Sequence, residues 1–172
     1  ALCVPVMSEI NGCDKQSGQD IPRTLIAGCG DIGSRLGTLL AQRGHSVWGL
    51  RRSSAGLTEQ ITPVTGDLLD PETLAQIPKK IDYAVFCATP DEVTEAAYRR
   101  IYIDALSMFL ERLADQQPKV KRLLFVSSTS VYHQQDGEWV DEASATQPTH
   151  FRGQTLLQAE RLLSNCPWPS LA

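Results

Sequence analysis

The 172-residue chain is 42% hydrophobic and 21% charged, and its formal net charge at pH 7 is −4. These proportions are typical of a globular domain, and the negative charge argues against nucleic acid or an anionic membrane as a partner. No apolar run reaches the roughly 18 residues that a transmembrane helix needs, and the five cysteines lack the spacing of a metal site. We therefore expect a cytoplasmic, metal-free protein that binds small molecules.

The beginning of the chain differs in character from the rest. Residues 1–21 mix glycine, proline and scattered polar groups without a period, which predicts a loose N-terminal extension. Strand-like and helix-like patterns alternate after it, and the length suits one hydrophobic core. We predict a single domain over residues 22–172.

Regular elements follow one another in chain order within this domain. The predicted strands are 24–28, 46–50, 61–67, 82–88 and 122–128. The predicted helices are 31–44, 70–77, about 91–116 and 152–164. Apolar strands that alternate with helices favour a parallel sheet covered on both faces. The expected fold is therefore α/β, a doubly wound Rossmann sheet of about five strands in the order 3-2-1-4-5 with helices on both faces.

Several helix boundaries and faces can be predicted from single residues. One helical face is predicted to carry the buried side chains of the first helix, which ends at Gly44: Ile32, Leu36, Leu39 and Leu40. Asp70 is placed as an N-cap before a proline at the first helical position. In the long helix, the apolar face is predicted to start at Val93.

The stretch after the first strand carries the pattern G-x-G-x-x-G. Gly28 allows a tight turn, Gly30 lets the backbone approach a pyrophosphate, and Gly33 lets helix and strand pack closely. The free N–H groups at the start of the helix would receive the anion. The alternative is a strand-to-helix turn that is merely rich in glycine. The position between a strand and a helix favours a dinucleotide site.

The end of the second strand predicts which dinucleotide is bound. A carboxylate there would hold the ribose 2′-hydroxyl of NAD, but the chain has Arg51 and Arg52 instead. Paired guanidinium groups suit a 2′-phosphate, so NADP is favoured over NAD. The alternative is that both arginines are simply solvated. Asp67 is a candidate for the adenine amino group, although an aspartate that stabilises a turn would look the same. The flanking positions assigned to the same cofactor site are Asp31, Ile32, Leu68, Ala88 and Thr89.

From Gly28 onward the chain resembles a known family. The stretches "GCGDIG", "AYRRIYIDAL", "LLFVSSTSVY" and "LLQAERLL" occur in the order and spacing of the extended short-chain dehydrogenases/reductases, the NAD(P)-dependent sugar-nucleotide epimerases and dehydratases. The likeness covers about 140 residues. The resemblance implies that Ser128 is the catalytic serine, which hydrogen-bonds the reacting hydroxyl or keto oxygen, and that Glu142 matches a glutamate common in the following loop.

The chain departs from the family at its Y-x-x-x-K motif. In the family the tyrosine moves a proton while the lysine lowers its pKa and binds the nicotinamide ribose. Arg152 stands in the tyrosine position and Leu156 in the lysine position, and neither side chain can do this work. Tyr102 stands where the family often has an active-site asparagine. The chain therefore resembles an atypical, epimerase-like member.

Other side chains were weighed as substitutes. Tyr132 and Tyr102 are candidate proton donors, each with the alternative of a packed aromatic. His133 and His150 flank a polar loop and are candidates for proton transfer or, alternatively, surface histidines. Cys29, in the glycine loop at a helix start, is a candidate low-pKa thiol, with a small residue tolerated in a turn as the alternative. Of these, Tyr132 joins Ser128 as a predicted catalytic residue.

These observations predict an NADP-binding protein whose catalytic status is open. The resemblance implies an oxidoreductase or epimerase acting on a nucleotide-sugar-like or small carbonyl substrate. The alternative is a non-catalytic protein that senses NADP(H) and changes its contacts with partners. The stretch "PSLA" is predicted to be the first residues of a further strand, and the domain is expected to stop there, before a full sixth strand and a substrate domain. An edge left exposed beside the fifth strand would favour a homo-oligomer.

Overall fold

A computed structural model of the protein describes residues 20–116, 119–134 and 136–172. The N-terminal extension predicted for residues 1–21 lies outside the described residues except for positions 20 and 21. The strands are β1 (Arg23–Ala27), β2 (Ser46–Arg51), β3 (Ile61–Thr65), β4 (Tyr83–Phe86), β5 (Arg122–Phe125) and β6 (Ser170–Leu171). The helices are α1 (Asp31–Gln42), α2 (Pro71–Ala75), α3 (Glu95–Arg99), α4 (Leu106–Ala114) and α5 (Phe151–Ser164).

The strands form one parallel sheet in the order β3-β2-β1-β4-β5-β6. This confirms the doubly wound Rossmann architecture, but the prediction of five strands was one strand short. In β6, Ser170 pairs with Leu123 and Leu171 with Leu124. The stretch "PSLA", predicted as the first residues of a further strand, contains these two residues, and the pairing with β5 defines them as a strand. The edge expected beside β5 is therefore partly covered by β6.

Two cores lie on opposite faces of the sheet because neighbouring strand residues point in opposite directions. Leu25 faces the larger core, which packs under α2, α4 and α5, whereas Ile26 faces the smaller core under α1. Both side chains are fully buried. Full burial of such a side chain stabilises the fold by about 1.5–3 kcal/mol. The sequence prediction of helices on both faces is confirmed.

The face of α1 that meets the sheet differs from the prediction. Ile32 is 61% exposed and Leu39 53% exposed, while Gly33 and Gly37 are buried. A Cβ atom on Gly37 would lie 2.6 Å from Cδ1 of Ile61, so glycine is what allows this close approach. The predicted face is right for Leu36 and Leu40, which pack against the smaller core, and wrong for Ile32 and Leu39. A pattern of large side chains overlooks glycines as contact residues.

The ends of α1 and α2 follow the predicted capping chemistry. After α1, Gly44 has a φ of +88° and the amide of His45 donates to the carbonyl of Leu40 over 3.1 Å, as in a Schellman motif. The Asp70 carboxylate accepts from the amides of Glu72 and Thr73 at 3.1 and 3.2 Å, which confirms it as the N-cap of α2.

The long helix starts later than predicted and is not uniform. It begins at Glu95, where Thr94 Oγ1 accepts from the amide of Ala97 over 3.2 Å. A π-helical turn over Arg100–Ala105 joins α3 to α4. Val93 precedes the helix and is 60% exposed, so its assignment to the apolar face was wrong. Within the described residues, no helix has both the length and the apolar character needed to cross a bilayer.

Candidate functional site

A cavity of about 840 Å³ opens at the carboxyl ends of the central strands. Its size falls within the usual range for ligand sites. Eleven residues predicted from the sequence to contact the cofactor all line it. They are Gly28, Gly30, Asp31, Ile32, Gly33, Arg51, Arg52, Asp67, Leu68, Ala88 and Thr89. The fold thus brings together four segments that are far apart in the sequence.

The glycine loop is held in a conformation that requires glycine at its first position. Gly28 has a φ of +78°, and a Cβ atom there would lie 2.3 Å from both Cα and N of Ala88. The amides of Gly28 and Cys29 both donate to the carbonyl of Leu50 at 3.0 Å. These bonds fix the loop against the end of β2, beside the cavity.

The start of α1 has the features of an anion site. Gly30 is its N-cap residue, and no side chain among the described residues caps this end of the helix. A Cβ atom on Gly30 would meet nothing nearer than the Gly28 carbonyl oxygen at 4.0 Å, so the space above this backbone is open. Uncapped N–H groups and the positive end of the helix dipole favour a negatively charged ligand. The residues present therefore fit a pyrophosphate.

The two arginines after β2 have different surroundings. Arg51 is the last residue of β2 and is half-buried, whereas Arg52 is exposed. Nη1 and Nη2 of Arg52 each donate to one oxygen of Asp91, both at 2.6 Å. This contact lowers the pKa of Asp91 below its usual range. The partner of Arg52 comes from the segment after β4, and no local sequence pattern predicts it.

Asp67 follows β3 and takes part in a turn. Its Oδ1 accepts from the amide of Leu69 over 2.9 Å, which is the turn contact that was weighed as the alternative to adenine binding. The amide of Gly66 donates to the carbonyl of Arg51 over 3.0 Å, so this turn lies against the end of β2. A role of Asp67 toward adenine stays a prediction.

The predicted catalytic residues Ser128 and Tyr132 lie elsewhere. Ser128 Oγ accepts from the amide of Ser130 over 3.3 Å and caps a 3₁₀ turn at Thr129–Val131. Tyr132 ends this turn and packs, partly buried, against the larger core. Neither residue is among the described residues that line the cavity. The structure does not place them with the cofactor residues, and their catalytic role stays a prediction.

Arg152 and Leu156, which stand in the positions of the family's tyrosine and lysine, lie in different surroundings. Arg152 is exposed near the start of α5, and Leu156 is 3% exposed within the larger core. Tyr102 is 7% exposed and meets Phe125 edge-on at 6.1 Å. Burial raises the pKa of Tyr102 to about 12, so this side chain fits the alternative of a packed aromatic.

The remaining candidates also have structural contacts. His133 Nδ1 lies 3.2 Å from the carbonyl of Gln147, and His150 caps α5 by accepting from the amide of Arg152 over 3.4 Å. Cys29 is fully buried, and burial raises the pKa of its thiol. The suggestion that Cys29 is a low-pKa thiol was therefore wrong, because desolvation outweighs the favourable position near a helix start.

Several functional candidates were missed by sequence reasoning. Asp91, Glu92, Thr94 and Arg100 line the cavity together with the predicted residues. All four follow β4, and ligands in open α/β sheets bind outside the carboxyl ends of the strands. Applied to the segment after β4, the rule that ligands bind at the carboxyl ends of strands would have predicted these four residues as candidates.

Two further contacts position the last helix, α5. Ser127 Oγ donates to Oε1 of Glu160 over 2.5 Å, which ties the segment after β5 to α5. Gly153 on the same helix lies against the 3₁₀ turn, since a Cβ atom there would stand 2.0 Å from the carbonyl oxygen of Ser130. These two contacts fix how α5 packs beside Ser128.

Comparisons with known proteins agree with this geometry. The profile of a family described as NAD(P)H-binding matches residues 28–166. A solved structure from Methylobacillus flagellatus, assigned as an NAD-dependent epimerase/dehydratase, is 34% identical with a TM-score of 0.70, over 88% of this chain and 52% of the other. The protein MoeE5, solved with UDP-glucose and NAD, is 29% identical with a TM-score of 0.70, over 81% of this chain and 47% of the other.

A short-chain dehydrogenase/reductase superfamily protein from Agrobacterium tumefaciens, solved with NAD, shares the fold at 22% identity and a TM-score of 0.71, over 87% of this chain and 47% of the other. A search of curated proteins finds no match. The chain spans about half the length of these three solved structures. Because the family profile covers most of the chain, the protein belongs to the NAD(P)H-binding family and has the fold of the epimerase/dehydratase and short-chain dehydrogenase/reductase superfamily.

Proposed function

We propose that this chain binds NADP(H) in the cavity at the carboxyl ends of the strands. The pyrophosphate would lie at the start of α1, and Arg51 and Arg52 would hold the 2′-phosphate. The observation that carries this proposal is the convergence of eleven sequence-predicted residues on one cavity of about 840 Å³. The uncapped helix start supplies the donors that a pyrophosphate needs.

The preference for NADP over NAD rests on the end of β2. Two guanidinium groups stand there, and β2 ends in Arg51 rather than in a carboxylate that would accept from a ribose 2′-hydroxyl. Both partners are charged when a guanidinium donates to a dianionic 2′-phosphate, whereas a ribose hydroxyl is a neutral acceptor and gains less from the same donor. The relatives from Agrobacterium tumefaciens and MoeE5 were solved with NAD, so the arginines would distinguish this chain from them.

Titration of NADPH and NADH into the purified chain, followed by calorimetry, tests this proposal. We expect NADPH to bind at least about tenfold more tightly than NADH, which corresponds to one charge-assisted contact. Arg51→Gln should remove most of that preference. Arg161→Gln, a change of an exposed arginine on α5, is the matched control and should keep it. Equal affinity for the two cofactors would refute the NADP assignment, and no binding of either would refute the site.

For the chemistry, we propose reduction or epimerisation of a nucleotide-sugar-like or small carbonyl substrate, with Ser128 and Tyr132 as the catalytic residues. Support comes from the family resemblance and from MoeE5, which was solved with UDP-glucose. The test has two assays: NADPH oxidation with a panel of keto sugars and aldehydes detects reduction, and conversion of UDP-glucose into its epimers, followed by NMR, detects epimerisation, which consumes no net cofactor. Turnover that Ser128→Ala lowers at least about 100-fold would support an enzyme, a loss typical of a general acid–base or positioning group.

A second candidate function is a non-catalytic NADP(H)-sensing protein. The burial of Leu156 in the core and the absence of Ser128 and Tyr132 from the described lining of the cavity favour it. Cofactor occupancy would then alter contacts with a partner instead of driving a reaction. Clear, Ser128-dependent turnover in either assay above would exclude this candidate, and tight NADPH binding without turnover would support it.

A further inference from the structure

Arg52 and Asp91 connect the two loops that flank the glycine loop. Arg52 follows β2, and Asp91 lies between β4 and α3; these two strands pair with β1 on its two sides. Both residues line the cavity. Nη1 lies 2.6 Å from Oδ2, and Nη2 lies 2.6 Å from Oδ1. The ion pair is therefore part of the wall against which a dinucleotide would bind.

The pair uses the groups that a phosphate would use. An arginine binds a phosphate or carboxylate in two-pronged fashion through parallel N–H donors. In Arg52 both terminal nitrogens already donate to Asp91. A second anion can take the same donors only if the carboxylate gives way or shares them, and it would be repelled by that carboxylate at close range.

The pair is also weak enough to be displaced. The Arg52 and Asp91 side chains are 66% and 65% exposed, and exposed ion pairs contribute little to stability because water screens them. Arg52 lowers the pKa of Asp91, so the carboxylate is charged at neutral pH. Two further charged groups act on this pair through their charge. Asp67 raises the pKa of Arg52, and Arg100 lowers the pKa of Asp91.

We propose that Asp91 is a specificity-determining residue whose carboxylate competes with the 2′-phosphate of NADP(H) for Arg52. Asp91 therefore lowers the affinity for NADP(H) and leaves the affinity for NAD(H) nearly unchanged, because NAD(H) has no 2′-phosphate. The inference rests on the proposed function and deepens it. Arg51 forms no such pair among the described residues. It can therefore bind the phosphate without first giving up a carboxylate.

The test compares two variants of one loop. Asp91→Asn removes the carboxylate that holds Arg52, and Glu92→Gln removes the same charge from the adjacent residue, which forms no ion pair within the described part of the chain. We expect Asp91→Asn to tighten NADPH binding about fivefold, the upper end for an exposed pair, and to change NADH binding less than twofold. Glu92→Gln should affect the two cofactors alike. Titrations with 2′,5′-ADP and AMP should repeat the difference with the adenosine half alone.

A double-mutant cycle assigns the effect to Arg52. In an Arg52→Gln background, Asp91→Asn should no longer tighten NADPH binding. The inference is overturned if Asp91→Asn weakens NADPH binding, if it tightens NADPH and NADH equally, or if the gain persists without Arg52. The proposed function fails differently: the unchanged protein would then not bind NADPH at all. That result would refute both the proposed function and the role of Asp91.

Discussion

The Sγ atom of Cys87 donates a hydrogen bond to the carbonyl oxygen of Gly28 over 3.2 Å, and so joins the end of β4 to the glycine loop. Cys87 lines the cavity, while Cys29, next to Gly28, is buried behind the loop. Burial, together with a smaller contribution from the nearby Cys29, raises the pKa of Cys87 to about 12. Two thiols thus support the loop as packed, protonated groups.

The protonated state of these thiols predicts slow alkylation. At pH 7.5, iodoacetamide should label Cys29 and Cys87 at least about tenfold more slowly in the folded protein than after unfolding in urea, because the thiolate is the reactive form. Peptide mass spectrometry measures each cysteine separately. Labelling of Cys29 at the same rate in both states would contradict its burial.

The glycine loop predicts a large difference between two alanine substitutions. Gly28→Ala should cost at least about 3 kcal/mol of folding free energy, because it combines a positive φ with a Cβ atom 2.3 Å from the Ala88 backbone. Gly44→Ala is the matched control. Its φ is +88°, but a Cβ atom there meets nothing within 4 Å, so it should cost about 1 kcal/mol. Urea unfolding measures both, and equal costs would show that the Ala88 contact does not limit the loop.

An ion pair at the opposite end of the sheet predicts the acid behaviour. Asp82 Oδ1 lies 2.8 Å from Nζ of Lys121, and Oδ2 accepts from the amide of Arg23 over 2.9 Å. Burial raises the pKa of Asp82, but the contacts with Lys121 and Arg23 outweigh it and leave the pKa below its usual range. The stabilisation is therefore complete above the unfolded-state pKa of about 3.9 and is lost as the pH falls through the folded-state value.

Asp82→Asn should accordingly make the free energy of unfolding depend less on pH at acid pH. At pH 7 the variant should lose about 1 kcal/mol, a modest figure because Lys121 is 62% exposed. As the pH falls below about 4 the difference from the unchanged protein should begin to shrink, because Asp82 takes up its proton first in the unfolded state, and it should vanish once the pH is below the folded-state pKa. Asp104→Asn, at an exposed position, is the control and should show no such convergence. A difference that stays constant from pH 7 to pH 3 would contradict the assignment.

The core position of Leu156 predicts that the family's lysine cannot be restored without cost. Leu156→Lys should lose at least about 3 kcal/mol, since an ammonium would replace a side chain that is 3% exposed and surrounded by apolar groups. Gln154→Lys, two residues earlier at an exposed position of α5, should change stability by less than about 0.5 kcal/mol. Denaturant unfolding compares the two. A stable Leu156→Lys protein would show that this position reaches the cavity, and would weaken the sensing hypothesis.

Local chemistry made part of the fold predictable. The Asp70 cap, the glycine after α1 and the alternation of apolar strands with helices are encoded by neighbouring residues, so the sequence predicted these elements correctly. The gathering of eleven predicted residues around one cavity was also predictable, because strands that run parallel bring their carboxyl ends to one edge of the sheet.

Other features depend on residues that are distant in the sequence. The partner of Arg52 is Asp91, 39 positions away, and no local pattern connects the two. The burial of Cys29 and the use of Gly33 and Gly37 as the contact face of α1 depend on how closely helix and sheet approach. The strand β6 exists only through its pairing with β5.

The sequence by itself determined the order of the strands and helices, the glycine loop and the chemical groups at the end of β2, because each depends on side chains close together in the chain. Only the tertiary structure decided which of these groups are free to bind. Packing buried Cys29, Tyr102 and Leu156, and the approach of two loops paired Arg52 with Asp91. Burial and long-range ion pairs are properties of the assembled sheet, and no single segment contains them.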